Sequence, residues 1–221
     1  MISSWPCPAP DGTAEEFALT FDRGRTCRLL VAPALFDEGN RLRRQTVEVL
    51  RRLDSLGIDS FLPDLPGTAE SLRPLDSVSL ADWRAALTAA ARHFGATHAL
   101  AIRGGALIRP DLPGPDHAPL KGKTILRQML RMRVLAAREA GREERPEALL
   151  EHGLTGGLAL AGYRLGATMV RELDAAEPQP ERAVIAQSDI GGGALWLRAE
   201  ADEDPAQAEA LAARVAAAIG A

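Results

Sequence analysis

The chain has 221 residues, 46% of them hydrophobic, with 26 basic and 30 acidic side chains and a net charge of −4. That is enough apolar material for one core of ordinary size, and a single domain over 1–221 is expected. The charge balance, the lack of a basic tail and an aromatic set of three Trp, one Tyr and five Phe argue against a nucleic-acid partner. No apolar run approaches the ~18 residues that cross a bilayer, so no membrane span is expected.

Met1 to Asp11 lacks a basic stretch followed by an apolar one, so no signal peptide is read there. Cys7 and Cys27 make no disulfide framework and sit in no metal-ligand spacing. A reducing, cytoplasmic location is expected, with no metal and no cofactor.

Short apolar runs alternate with longer amphipathic ones, as in βαβ units around a mainly parallel sheet. Glu16 to Asp22 alternates weakly and reads as an edge strand, and Arg25 to Cys27 as a turn. Leu29 to Ala32 is an apolar run suited to a strand buried on both faces. Leu42, Thr46, Val49, Leu50, Leu53 and Leu56 recur at helical spacing, and Gly57 stands where a helix-ending glycine is favoured. Ile58 to Leu62 is the next strand. Ser79 and Asp82 form a capping box, and Leu80, Trp83, Leu87, Ala91 and Phe94 follow the helical period until Gly95. Thr97 to Ile102 is a third buried strand.

Regularity weakens after Gly105. Arg109 to Pro119 holds four prolines and is read as irregular. Helices are expected from Lys123 to Ala140, from Pro146 to His152 and around Leu165, Met169 and Leu173. Arg182 to Ser188 and Ala194 to Glu200 read as two further strands, separated by Gly191, Gly192 and Gly193. Leu211, Val215 and Ile219 mark the last helix. The expected architecture is three-layer α/β/α, with loop and helical insertion from about 106 to 175.

Five features together resemble the α/β-hydrolase fold. They are the turn Pro33 to Phe36 after the first buried strand, the segment Asp64-Leu65-Pro66-Gly67-Thr68-Ala69-Glu70-Ser71 and the helix bearing Trp83. Ala101-Ile102-Arg103-Gly104-Gly105 follows the third strand, and the helical insertion comes after it. The chain is also similar to a bacterial branch, the exosortase A system-associated hydrolases, found beside genes for exopolysaccharide and protein sorting. Pro33 with Glu38-Gly39-Asn40-Arg41-Leu42-Arg43-Arg44, Asp64-Leu65-Pro66-Gly67, Gly122-Lys123 with Leu130-Arg131-Met132-Arg133, and Ala161-Gly162-Tyr163-Arg164-Leu165 carry that similarity. The resemblance implies hydrolysis of ester or acyl bonds by a serine on a tight strand-to-helix elbow, a histidine base after the last strand and an acid.

The chain departs from that implication at two positions. Arg103 stands at the elbow, and a guanidinium is no nucleophile. The four histidines are His93, His98, His117 and His152, so none follows the last expected strand. The primary expectation is therefore a hydrolase-like binding protein, or pseudoenzyme, for a small anionic ligand or a protein partner. Arg103, Gly104, Glu38 and Asp64 are the candidate ligand-binding residues at the carboxyl end of the sheet. The bland reading of Arg103 is an ion pair with Glu38, Asp64 or Glu200 that fills a dead pocket. The alternative is an atypical hydrolase in which Asp64, Asp189 or Glu200 activates water. Ser71 and Ser188 are open as to whether they reach the pocket.

The remaining candidates favour structural roles. Lys121-Gly122-Lys123-Thr124 lacks the first glycine and preceding strand of a phosphate loop and reads as a helix start. His117, beside Asp116, reads as an exposed loop residue, and His93 and His98 lie at the opposite end of the sheet from the ligand edge. Arg127 and Arg131 stand four apart on a helix with Arg133, Arg138, Arg142 and Arg145. They serve either solubility or an acidic partner. Leu126, Met129, Leu130 and Met132 supply the patch if the insertion docks a partner or a second copy as a homodimer. Trp83 reads as core, and Trp196 as core or pocket wall.

Overall fold

The computed structural model describes every residue from Met1 to Ala221. In chain order it comprises β1 (Ile2–Ala9), β2 (Gly12–Phe21), β3 (Arg28–Ala32), α1 (Asp37–Ser55), β4 (Asp59–Pro63), α2 (Leu80–His93) and β5 (His98–Ile102). There follow β6 (Asp116–His117), α3 (Gly122–Glu139), α4 (Pro146–Gly156), β7 (Leu158–Leu160), β8 (Tyr163–Leu165), α5 (Ala167–Ala175), β9 (Val184–Ile185), α6 (Gln187–Ile190) and α7 (Pro205–Ile219).

Seven strands form one sheet in the order β1-β2-β4-β3-β5-β6-β9. From β4 to β9 every pairing is parallel, while β1 with β2 and β2 with β4 are antiparallel. Alternation along β3 divides the interior. Leu30 and Ala32 join Phe61, Trp83, Leu87, Met129 and Met169 on the face covered by α2, α3 and α5. Leu29 and Val31 face the other way, against Leu50 and Leu53 of α1 and Leu211 and Val215 of α7. The fold is three-layer α/β/α with a mainly parallel sheet, as its period-2 and period-3.6 patterns require.

The helix signals hold in detail. Ser79 accepts from Asp82 N at 3.0 Å, and the Asp82 carboxylate accepts in return from Ser79 N at 2.8 Å. Trp83 is wholly buried, and its indole donates to Pro66 O at 2.9 Å.

The strand reading needs five corrections. Glu16 to Asp22 is not an edge, because β1 lies outside β2 and pairs with it from Ile2↔Leu19 to Ala9↔Gly12. Pro6 and Pro8 hid β1, yet they stand two apart, so both missing donors fall on one side of the strand, where an edge tolerates them. Asp116 and His117 form a two-residue strand inside the proline-rich stretch. Arg182 to Ser188 contracts to the two residues of β9. Ala194 to Glu200 is no strand: Gly191 and Gly192, at φ 72° and 65°, turn the chain away, and Leu195–Leu197 makes one 3-10 turn. The antiparallel hairpin β7–β8 was also unread.

Candidate functional site

Three chain segments converge at the carboxyl end of β3 and β5. Phe36, at φ 54°, turns the chain after β3 so that Glu38 falls in the first turn of α1. After β5 the backbone makes a sharp elbow at Arg103, with φ 55°. For a non-glycine residue that conformation costs about 1–2 kcal/mol. Small neighbours permit it. A Cβ on Gly105 would stand 2.3 Å from Ala32 O, and one on Gly104 would stand 2.8 Å from Ile125 Cδ1. A 3-10 turn, Arg103–Leu107, follows instead of a long helix, so little dipole is available there.

The elbow, where the resemblance implies a nucleophile, therefore carries a cation instead. Arg103 is 6% exposed. Its Nε and Nη2 donate to the two oxygens of Glu38, each at 3.0 Å, and Nη1 donates to Ala118 O at 2.9 Å. The indole of Trp196 covers it, with the ring centroid 3.9 Å from Cζ. A bidentate carboxylate and an aromatic face are what a guanidinium needs when it leaves water.

His117 corrects an expectation. It is not an exposed loop residue but 5% exposed, with its ring 6.0 Å from that of Trp196. Its Nδ1 lies 3.1 Å from Ile185 O, and since a carbonyl only accepts, Nδ1 carries the proton. Burial lowers its pKa, the hydrogen bond to Ile185 O opposes that shift, and the Arg103 charge lowers it again. Its neighbour Asp116 pairs with Arg109, both almost fully buried. No side-chain contact links Asp116 to His117.

The other candidates are dispersed. Asp64 is buried and accepts from Arg43 at 2.8 Å, in a separate recess of about 230 Å³ with Asn40, Thr68 and Tyr163. Burial raises its pKa, and Arg43 opposes the shift. Asp189 accepts from Ala186 N at 2.7 Å and caps α6. Glu200 and Ser188 are exposed. Ser71 donates to the buried Glu16 at 2.7 Å and accepts from Gly67 N at 2.9 Å. No histidine nitrogen is hydrogen-bonded to a serine.

Beside the covered elbow opens a cleft of about 290 Å³. Leu35 and Phe36 form one wall, Ile125, Met129 and Met132 of α3 another, and Tyr163, Trp196 and Leu197 close it. Glu38 and Arg41, half-buried, and the exposed Arg131 also line it. Arg41 is engaged by Asp37 at 2.6 Å and by Trp196 O at 3.0 Å. Two motif segments far apart in sequence meet here: Asn40 donates to the Tyr163 hydroxyl at 2.9 Å. The lids Trp196 and Ala118, and the burial of His117, gave no periodic signal, because their segments are irregular.

No protein-family model and no curated protein matches the sequence. Solved structures share its shape. Mouse α/β hydrolase domain-containing protein 10 aligns over 78% of this chain and 69% of its own, with TM-score 0.53 and 14% identity. The hypothetical protein PA2218 of Pseudomonas aeruginosa aligns over 84% and 76%, with TM-score 0.50 and 12% identity. A protein of Agrobacterium vitis S4 aligns over 62% of this chain at TM-score 0.48 and 16% identity, and the chain spans only 60% of that protein. The fold is therefore α/β-hydrolase-like, and at these identities the likeness concerns the fold alone.

Proposed function

We propose that this chain is an α/β-hydrolase-like binding protein without serine-hydrolase turnover, and that it holds a small anionic ligand with an apolar portion in the cleft beside the elbow. One observation carries the reading: Arg103 occupies the nucleophile position, locked by Glu38 and Ala118 and covered by Trp196. All Arg103 donor nitrogens have partners inside the chain, so the anion clamp shifts from Arg103 to the cleft rim. There Arg131 is exposed and has no acidic partner, above walls rich in methionine and aromatic rings. Methionine adapts its shape to different apolar ligands.

An atypical hydrolase is the lesser reading. Asp189 is engaged as a cap and Glu200 faces solvent, which leaves the buried Asp64 as the only one of the three bases set in a recess. The motif resemblance supports a bacterial exopolysaccharide or exosortase setting, and the unpaired Cys7 and Cys27 support a cytoplasmic location. Unchanged exopolysaccharide output in a deletion strain would remove that setting.

The binding test uses Trp196, because Trp5 and Trp83 are only 1% and 0% exposed. Decyl phosphate titrated into the protein is expected to shift Trp196 emission saturably, and Arg131→Ala is expected to weaken binding about tenfold, one lost charge-assisted contact. A fluorophosphonate read by intact mass is expected to leave the protein unlabelled. Stoichiometric labelling of one serine, or no emission change with decyl phosphate, overturns the proposal.

A further inference from the structure

We propose that a second surface, the groove between α3 and α4, docks an extended acidic peptide segment of a partner protein. Lys123, Arg127 and Arg131 follow one another at four-residue spacing along α3, all exposed. At 1.5 Å rise per residue their charges stand about 6 Å apart. The ion pairs of this region, Lys121–Glu177 and Arg133–Glu144, leave all three without an acidic partner. They border a groove of about 290 Å³ floored by Leu126, Leu130 and Leu150. Arg131 borders both recesses, but Lys123 and Arg127 line only this groove, so the surface goes beyond the ligand site described above.

The opposite wall decides the kind of anion. Asp174 and Glu147 line the same groove. A free polyphosphate at neutral pH concentrates its negative charge beside these two carboxylates. A peptide instead spaces its carboxylates along the cations and supplies apolar side chains for the floor of Leu126, Leu130 and Leu150. In an extended chain the side chains on one face repeat every two residues, about 6.6 Å, close to the spacing of the cations. Acidic residues at alternate positions thus meet Lys123, Arg127 and Arg131 in turn, and the intervening side chains face Pro146 and Leu150.

The probe is a fluorescein-labelled peptide of alternating Glu and Leu, seven residues long, read by anisotropy with the full-length protein at low salt. Saturable binding is expected, weakened at least tenfold by the double charge reversal Lys123→Glu/Arg127→Glu. Both positions are exposed, so these variants keep the fold, and circular dichroism checks that they do. The proposal is overturned by absent binding at millimolar protein, by equal binding of a peptide with its Glu residues contiguous, or by tripolyphosphate competing at equal concentration. It is overturned equally if the charge reversal leaves affinity unchanged.

Discussion

Arg103 and Glu38 are an unequal pair. Arg103 keeps 7% of its side-chain exposure and Glu38 keeps 16%, so the cation is the one that cannot reach water. Glu38→Ala leaves a buried charge uncompensated and is expected to cost about 3–5 kcal/mol, read as a lower urea midpoint. Arg103→Met removes the charge that needs burial, and its cost is expected to be clearly smaller. Equal losses for the two variants would contradict this account of the elbow. A different pair contributes to the acid limb of stability. Hydrogen bonds from Arg28 hold the Asp22 carboxyl down at about 2. A depressed carboxylate stabilises fully above its unfolded value, about 3.9, and the gain drains away as pH falls toward 2. The difference in melting temperature between the wild type and Arg28→Met is therefore expected to narrow below about pH 4, and a constant gap from pH 7 to 2 would refute it. Sequence alone revealed Arg103 and Glu38 as candidates, because the strand-then-Gly-Gly pattern pins the elbow and a buried arginine needs a carboxylate. It did not choose Glu38 over Asp64 or Glu200. That choice depends on Phe36 turning α1 back over β5, a tertiary fact.

At the scale of elements, legibility follows periodicity. α1, α2, α3 and α7 were readable from one apolar stripe each, and β3, β4 and β5 from short apolar runs between them. β1 and β6 were not, because the first is broken by prolines and β6 is only two residues long, while β9 was read but drawn too long. The irregular 195–197 turn carries Trp196, so the cover of the site belonged to the part of the chain with least pattern. The close approach of β5 to β3 gives a direct test of the elbow. Gly105→Ala places a methyl group 2.3 Å from Ala32 O and is expected to cost about 2–3 kcal/mol. A neutral result in chemical denaturation would mean that the backbone there is looser than the elbow requires.

At the scale of the molecule, the sheet sits between two apolar layers, and the segment from β6 to α5 contributes directly to one of them. Leu126, Met129, Met169 and Leu173 pack in the same cluster as Trp83 and Leu30. The insertion is therefore expected to melt with the rest. Far-ultraviolet and near-ultraviolet dichroism should report one coincident transition, and a separate early step would detach 122–175 as its own unit. The mainly parallel architecture was evident from strand and helix alternation, whereas the antiparallel pair at its margin was not. That margin has a consequence for colloidal behaviour. Pro6 and Pro8 leave gaps in the row of amide donors along the open flank of β1, and the opposite flank ends in a strand of two residues. Neither flank offers a long template on which another molecule could extend the sheet, so concentrated solutions are protected from fibre growth by continued strand pairing. Any assembly this chain enters must be built from its side-chain surfaces.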